Sequence, residues 1–499
     1  MRSAQPVGLR RIILVVGTCI ATTTSAQCGG SDEGTPCVTS ECLAQVDGGI
    51  DAGSGAPSVP STCDLRKAPS ESPDCVDDGV GIFASPLGKD SAVGTKADPV
   101  RSIAQAVSLA SRTLRPRVYA CEGSYDSSVT ITAPVALYGG LTCAWSPKRN
   151  ARPRLAPAKG VALEVKGANG AVLVDDFEVI GSSNPGTPGD SAIAVLVSSS
   201  LDVTFRNSLL SGGAAQPGAR GTTGSNFGQP GALVGKNQAA NTGGGEQTCT
   251  CLDGKTSSKG GRGGTAAGPS PTAGSATPTV GVANSGANGA DGCTPGSVGE
   301  NGDAGSKGTG APTAGTLTSG GWSSAALGTA GASGNPGQGG GGGGGNDLLL
   351  AGGGGGGCGG CGGHGGEPGK NGGSSFAILS FDSIVRVENG SLSSGSGGAG
   401  GAGGPGQDGQ AGGEGGLGTC SGGAGGTGAG GAGGGGGAGG HSVLVLYKGT
   451  APRLEGATTS VGAKGVGGVG GAGGQGGGNY GLAGDRGADG ASTISLAQP

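Results

Sequence analysis

A hydrophobic pattern occurs twice in succession across residues 160–212 and leaves the chain few ways to fold. In the first copy, apolar residues fall at Leu163, Val165, Val172, Val174 and Val179, with Asp176 and Gly181 closing the unit. The second copy has Ala194, Leu196, Val203, Phe205 and Leu210, closed by Asn207 and Gly212. A third returns far downstream as Phe376, Ile378, Val385, Val387, Asn389, Leu392 and Ser394. Each unit reads as two or three short alternating strands joined by turns, the signature of a solenoid in which strand stacks on strand. One unit cannot bury its own apolar face, so the units must stack and share a core. Asp176, Asn207 and Asn389 hold equivalent places and are expected to form a polar ladder, bonding neighbouring units at a turn. A partial fourth unit sets Val445 against Leu196 and Ile378, and Leu454 against Phe205 and Val387, without the asparagine.

Composition places that core inside a larger, unusual chain. Glycine supplies 125 of 499 residues and aromatics only 3%, so one modest core with large inserts is expected rather than several domains. A net charge of -4 without a Lys/Arg cluster argues against a nucleic-acid partner. The amino terminus has Arg2, Arg10 and Arg11, a short apolar run from Ile12 to Val16, then small polar residues to Gln27. That is a secretory signal over residues 1–27, too short to span a bilayer. It ends either by cleavage after Ala26 or by lipid attachment at Cys28. Of 14 cysteines, removal of Cys19 with the signal and of Cys28 as the lipid carrier leaves 12, an even number able to pair, whereas cleavage after Ala26 leaves 13. On either route the chain enters an oxidising, extracytoplasmic space.

Residues 28–78 are small, polar and Pro-rich and read as a stapled tether, in which Cys63 and Cys75 enclose a short loop and form a bridge. The segment 79–212 holds an amino-terminal cap and the first units. Val80 to Phe83 is its first strand. Asp98 before Pro99 is expected to cap a short helix in which Ile103, Ala106, Val107 and Ala110 recur at helical spacing. That helix would cover the open end of the solenoid, whose first unit otherwise exposes unpaired backbone. Cys121 and Cys143 flank the strands that follow and are expected to be bonded.

Several of these runs are familiar: Cys75-Val76-Asp77-Asp78-Gly79; Gly94-Thr95-Lys96-Ala97-Asp98-Pro99 with Ile103 and Ala106; Cys121-Glu122-Gly123-Ser124-Tyr125; and Leu137-Tyr138-Gly139-Gly140. Over residues 60–212, and more loosely over the later units, the chain resembles the secreted or lipid-anchored parallel β-helix proteins abundant in myxobacteria, whose amino-terminal cap is a domain of unassigned function. The resemblance implies a right-handed parallel β-helix and is nearly silent on activity. The expected fold is thus all-β, a right-handed parallel β-helix with a short capping helix and long glycine-rich inserts.

The inserts occupy residues 213–373, 395–440 and 462–499, the last with the carboxy-terminal tail, and alternate with units at 374–394 and 441–461. All leave from equivalent positions, which sets them on one side of the solenoid and lets them pack together. Gly-Gly-Ala-Gly-Gly recurs at 397–401, 422–426, 430–434, 436–440 and 470–474, which resembles in composition the glycine repeats of mycobacterial PE-PGRS proteins. Uninterrupted glycine at 339–345 breaks a collagen period. Disordered loops and extended glycine helices packed side by side both remain open, because glycine allows close backbone approach yet loses the most entropy on ordering.

Little chemistry is legible. A polysaccharide-degrading site on such a solenoid needs clustered carboxylates, and Asp175, Asp176 and Glu178 are the local candidates. Cys358, Cys361 and His364 have metal-like spacing, but the only other histidine is His441, and in an oxidising space a local disulfide, or a bond to Cys420, is favoured. Cys249 and Cys251 are expected to bond elsewhere, one with Cys293 among the options. No catalytic residue, metal or cofactor is assigned. The expected role is a non-enzymatic surface protein of the cell envelope, structural or adhesive, with extracellular polysaccharide or neighbouring surface proteins as partners and membrane contact only through a lipid on Cys28. A polysaccharide lyase or hydrolase is the rival reading.

Overall fold

A computed structural model describes residues 59–224, 232–281, 283–289 and 292–499. The candidate signal, Cys28 and most of the tether lie outside the described residues. The protein is all-β, with three separate parallel sheets and a single α-helix among the described residues. Each repeat of the hydrophobic pattern sends one strand to each sheet in turn. Val161–Lys166 enters the second sheet, Ala171–Asp175 the first and Glu178–Gly181 the third. Ala192–Ser198, Asp202–Arg206 and Leu209–Gly212 then pair with them in the same order, followed by Ser375–Phe381, Val385–Glu388 and Ser391–Ser394. Ser442–Lys448, Arg453–Glu455 and Thr458–Ser460 extend all three, and Ser492–Ala497 closes the second sheet. One apolar core is shared by all three sheets, with Val165 and Val197 from the second, Val174 and Phe205 from the first, and Val179 and Leu210 from the third.

Two of the three corners rest on backbone that only some residues tolerate. Asp176, Asn207, Asn389 and Gly456 take φ values of 57°, 51°, 50° and 62° where the first sheet turns into the third. Asp, Asn and Gly are the residues that enter the left-handed region at least cost. The expected ladder is therefore a column of left-handed residues, and its fourth member is Gly456, in the unit that lacks the asparagine. Its levels are tied by main chain: Asp176 N–H donates to Arg206 O (3.0 Å), Asn207 to Glu388 (2.9 Å) and Asn389 to Glu455 (2.8 Å). A second column, at Gly167, Ser199, Asp382 and Gly449, turns the second sheet into the first in the same way.

The register of the second sheet corrects the sequence alignment by one residue. Leu163 pairs with Val195 and Val165 with Val197, and Ile378 pairs with Val195, so neither Ala194 nor Leu196 is the equivalent position. Alternation failed as a guide because Ala192–Ser198 is buried along its whole length. Its outer face carries a separate apolar cluster in which Ile193, Leu196, Phe376, Leu379, Val443 and Leu446 meet Leu317 and Trp322, the last two from a hairpin inside the first glycine-rich insert. A strand buried on both faces reads as continuous apolar sequence and loses the period that would set its register.

The helix is Ile103–Thr113 and buries Ile103, Ala106, Val107 and Ala110. Its cap is Ser102, not Asp98: the Ser102 hydroxyl accepts from Gln105 N–H (3.2 Å), while the Asp90 carboxylate accepts from the Arg101 and Ser102 amides. Val100 stays extended because its N–H donates to Phe83 O (3.0 Å), and a helix begun at Pro99 would break that bond. From Asp64 on, the chain packs against the first strands. Arg117, 1% exposed, donates to the carbonyls of Leu65 (2.7 Å) and Lys67 (2.9 Å), and its guanidinium lies 4.7 Å from the Tyr138 ring centre. Tyr119 donates to Cys75 O beside it. Cys63–Cys75 and Cys121–Cys143 are bonded.

The described parts of the glycine-rich segments are ordered and lie side by side. Along residues 354–372 every third amide, from Gly354 through Gly357, Gly360, Gly363, Gly366 and Gly369 to Gly372, donates to a carbonyl spaced by three in the segment 420–438. The intervening amides of Gly355, Cys358, Glu367, Lys370 and Gly373 donate to residues 216–236, with the order reversed. Amides at 331, 334, 337, 340 and 343, and others from 398 to 416, donate back into the same segment. A three-residue screw turns successive amides toward different neighbours, as in a polyproline-II-type helix. Cβ atoms are excluded from this lattice: one added at Gly359 would sit 1.9 Å from Gly337 O. Glycine here answers close approach, and of the two open options the packed helices are what forms.

Candidate functional site

Asp175, Asp176 and Glu178 lie where the first sheet turns into the third, and each faces an arginine. Asp175 ends its strand 4% exposed and pairs with Arg206 Nη2 at 2.8 Å, while Asn207 Nδ2 donates to its other oxygen at 3.0 Å. Arg206 sits one repeat downstream of Asp175, as Phe205 does of Val174, so the pair follows from the register. Asp176 pairs with Arg152 Nε at 2.8 Å and Glu178 with Arg154 Nε at 3.6 Å. Burial pushes the Asp176 carboxyl above the usual carboxylate range, Arg152 opposing it and the neighbouring Asp175 adding to it. The hydrogen bond to Asp175 holds the Arg206 guanidinium more firmly protonated.

General acid–base hydrolysis needs two carboxyl groups open to one substrate, with a gap for sugar or water between them. Here each carboxylate is committed to a cation. The arginines were missed because no local motif announces them; the repeat length of 31 between Asp175 and Arg206 is the signal that finds them. The depression of about 260 Å³ between the helix and residues 130–135 is lined by small and hydroxyl side chains, with Arg112 its only ionisable group.

The cysteine cluster resolves differently from expectation. Cys358 bonds Cys249 and Cys361 bonds Cys251, while Cys420 bonds Cys293. A local bridge between Cys358 and Cys361 does not form, because the three-residue screw points both side chains the same way, toward the strand Gln247–Thr250 and its turn. Both sulfurs are consumed, so His364 is left without thiolate co-ligands, and no group of three metal-binding side chains occurs among the described residues. The Ser333 hydroxyl lies 3.3 Å from His364 Nδ1. His441 is 9% exposed between Trp322 and Phe376, and its Nδ1 accepts the Ala491 N–H at 2.9 Å. Burial lowers its pKa, so the ring is neutral and acts as a structural acceptor.

Five disulfides among the described residues suit an oxidising compartment, and no described helix is long and apolar enough to cross a membrane. Compared with protein-family models, with curated proteins and with solved structures, the chain matches none.

Proposed function

We propose that this is a non-catalytic surface protein of the cell envelope, structural or adhesive, in which a right-handed parallel β-helix carries a packed glycine lattice. The cyclic order in which each repeat visits the three sheets supports the β-helix reading, as does the resemblance of residues 60–212 to the myxobacterial proteins. The observation that carries the functional reading is the pairing of all three candidate carboxylates with arginine. Beside it stands the investment of the chain in a close-packed lattice stapled by three disulfides, an arrangement suited to rigidity. A long, largely uncharged face of this kind offers many weak contacts to a repetitive polymer, which multivalency turns into retention. A lipid on Cys28 would hold the protein at the envelope.

The test is incubation of the purified chain with neutral and acidic polysaccharides, with chain cleavage and retention on insoluble forms both recorded. Retention or inertness without cleavage is expected. Cleavage that Asp176→Asn abolishes would replace this reading with the polysaccharide-degrading one.

A further inference from the structure

We propose that the far end of the glycine lattice inserts leucines into the surface of a lipid bilayer, a contact separate from any lipid on Cys28. From Gly352 to Gly373 the chain runs back toward the sheets as a three-residue screw, about 65 Å at the ~3.1 Å rise per residue of such helices. The turns that join the glycine segments therefore stand well clear of the sheets, and they are tied to one another. Ala266 N–H donates to Asn241 O (3.3 Å), Ala267 N–H to Asp347 Oδ1 (2.7 Å), Leu417 N–H to Asn237 Oδ1 (2.7 Å) and Thr419 N–H to Gly352 O (3.0 Å). On this end Leu348, Leu349 and Leu350 of one turn and Leu417 of the next are 70%, 69%, 62% and 70% exposed. Local preference does not explain them: Leu350 takes φ of 47°, where glycine or asparagine sits at least cost and leucine is disfavoured. A run of large apolar side chains held in water marks a contact surface.

Charge, area and backbone bonding select the occupant. Among the described residues of the turns at 237–242, 265–269, 346–351 and 417–420, Asp347 is the only charged one, and its carboxylate already accepts an amide. An ionic partner finds nothing to match there, whereas a zwitterionic lipid surface requires no matching charge. Four leucines, at roughly 100 Å² of apolar surface each, supply about half of the ~800 Å² per partner of a stable protein interface. A fluid bilayer closes around a convex tip without a complementary surface. Hydrocarbon admits backbone only where its polar groups are bonded, and this turn meets much of that demand itself. Asn346 and Ala351 exchange both N–H to O bonds (2.8 and 3.1 Å), Asn346 Oδ1 accepts Leu349 N–H (2.8 Å), and Asp347 N–H donates to Gly289 O (3.3 Å).

Flotation with phosphatidylcholine vesicles tests this, on the full chain carrying Cys28→Ser in every arm so that no lipid at that position contributes. Binding is expected, weakened at least about tenfold by L348S/L349S/L350S, because affinity follows the apolar area inserted. Adding phosphatidylglycerol or salt should change it less than about twofold, since the tip carries no cation. In Leu349→Trp the new indole should shift its emission to the blue with vesicles and be quenched by brominated acyl chains, which places residue 349 itself in the bilayer. Circular dichroism of each variant establishes that it is folded. Absence of flotation, flotation that the triple variant retains, or an indole that neither shifts nor is quenched overturns the proposal. Self-association without lipid that the triple variant abolishes would assign the leucines to a second copy and overturn it equally.

Discussion

Replacing Gly366 with alanine tests whether the glycine lattice is held by close approach. A Cβ at this position would lie 1.8 Å from Gly404 O, 2.5 Å from Gly404 C and 2.9 Å from Gly434 N, so three segments meet on one hydrogen of one residue. Ordinary van der Waals contact requires the segments to part by roughly 1.5 Å. That movement breaks or stretches the bonds Gly366 N–H to Ala432 O (2.9 Å), Gly331 N–H to Gly366 O (2.9 Å) and Gly404 N–H to Glu367 O (2.8 Å). At a net ~1 kcal/mol per bond the loss is about 3 kcal/mol, offset by about 0.4–1 kcal/mol because alanine has less freedom in the unfolded chain. A net destabilisation of about 2–3 kcal/mol is expected. Gly245→Ala is the control: no atom lies within 4 Å of its Cβ, so only the unfolded-state gain remains and stability should rise slightly. Calorimetry gives the sign for both variants, and amide exchange at Gly363, Gly366 and Gly369 locates the loosening. Unchanged melting and protection in Gly366→Ala would refute a close-packed lattice.

Four further expectations can be checked alongside. Arg117→Met removes two strong charge-assisted bonds from the carbonyls of Leu65 and Lys67 and should cost about 3 kcal/mol or more; new proteolytic cleavage between Cys63 and Cys75 would report it. Cys358→Ser should cost much less than the ~4–5 kcal/mol expected for opening a loop of this length, because Cys251–Cys361 still closes nearly the same loop; with Cys361→Ser added, thermal melting should show the full loss. Burial depresses the pKa of His441, so its stabilising contribution is complete above the unfolded value of 6.5 and is lost as pH falls through the lower folded value. Fluorescence of the adjacent Trp322 should follow that loss reversibly, and His441→Gln should abolish it. Asp176→Asn keeps a residue suited to φ of 57° and should stay within about 1 kcal/mol of the parent at neutral pH. Because the Asp176 pKa is raised, the parent's contribution from this group is full at low pH and declines as pH rises through the folded value, so melting curves of parent and variant should differ most at neutral pH.

Much of the framework is written in the chain. The spacing that puts Val172, Val203 and Val385 in one column, and Val179, Leu210 and Leu392 in another, survives intact because those strands bury one face and keep their alternation. The helix is legible for the same reason, its four apolar residues falling on one side. Asp176, Asn207 and Asn389 are recognisable as equivalent since a left-handed corner accepts few residue types. Tertiary structure alone decided the rest. The second sheet slipped by one residue because the hairpin around Leu317 and Trp322, remote in sequence, buries its outer face. Cysteine partners depend on which glycine segments lie together, and Cys358 finds Cys249 across 109 residues. Glycine segments carry no side chain to distinguish one neighbour from another, and every amide offers the same bond. Local sequence therefore limits them to close packing, while the corner from which each insert departs, and the disulfides that tie them, settle which segment lies beside which.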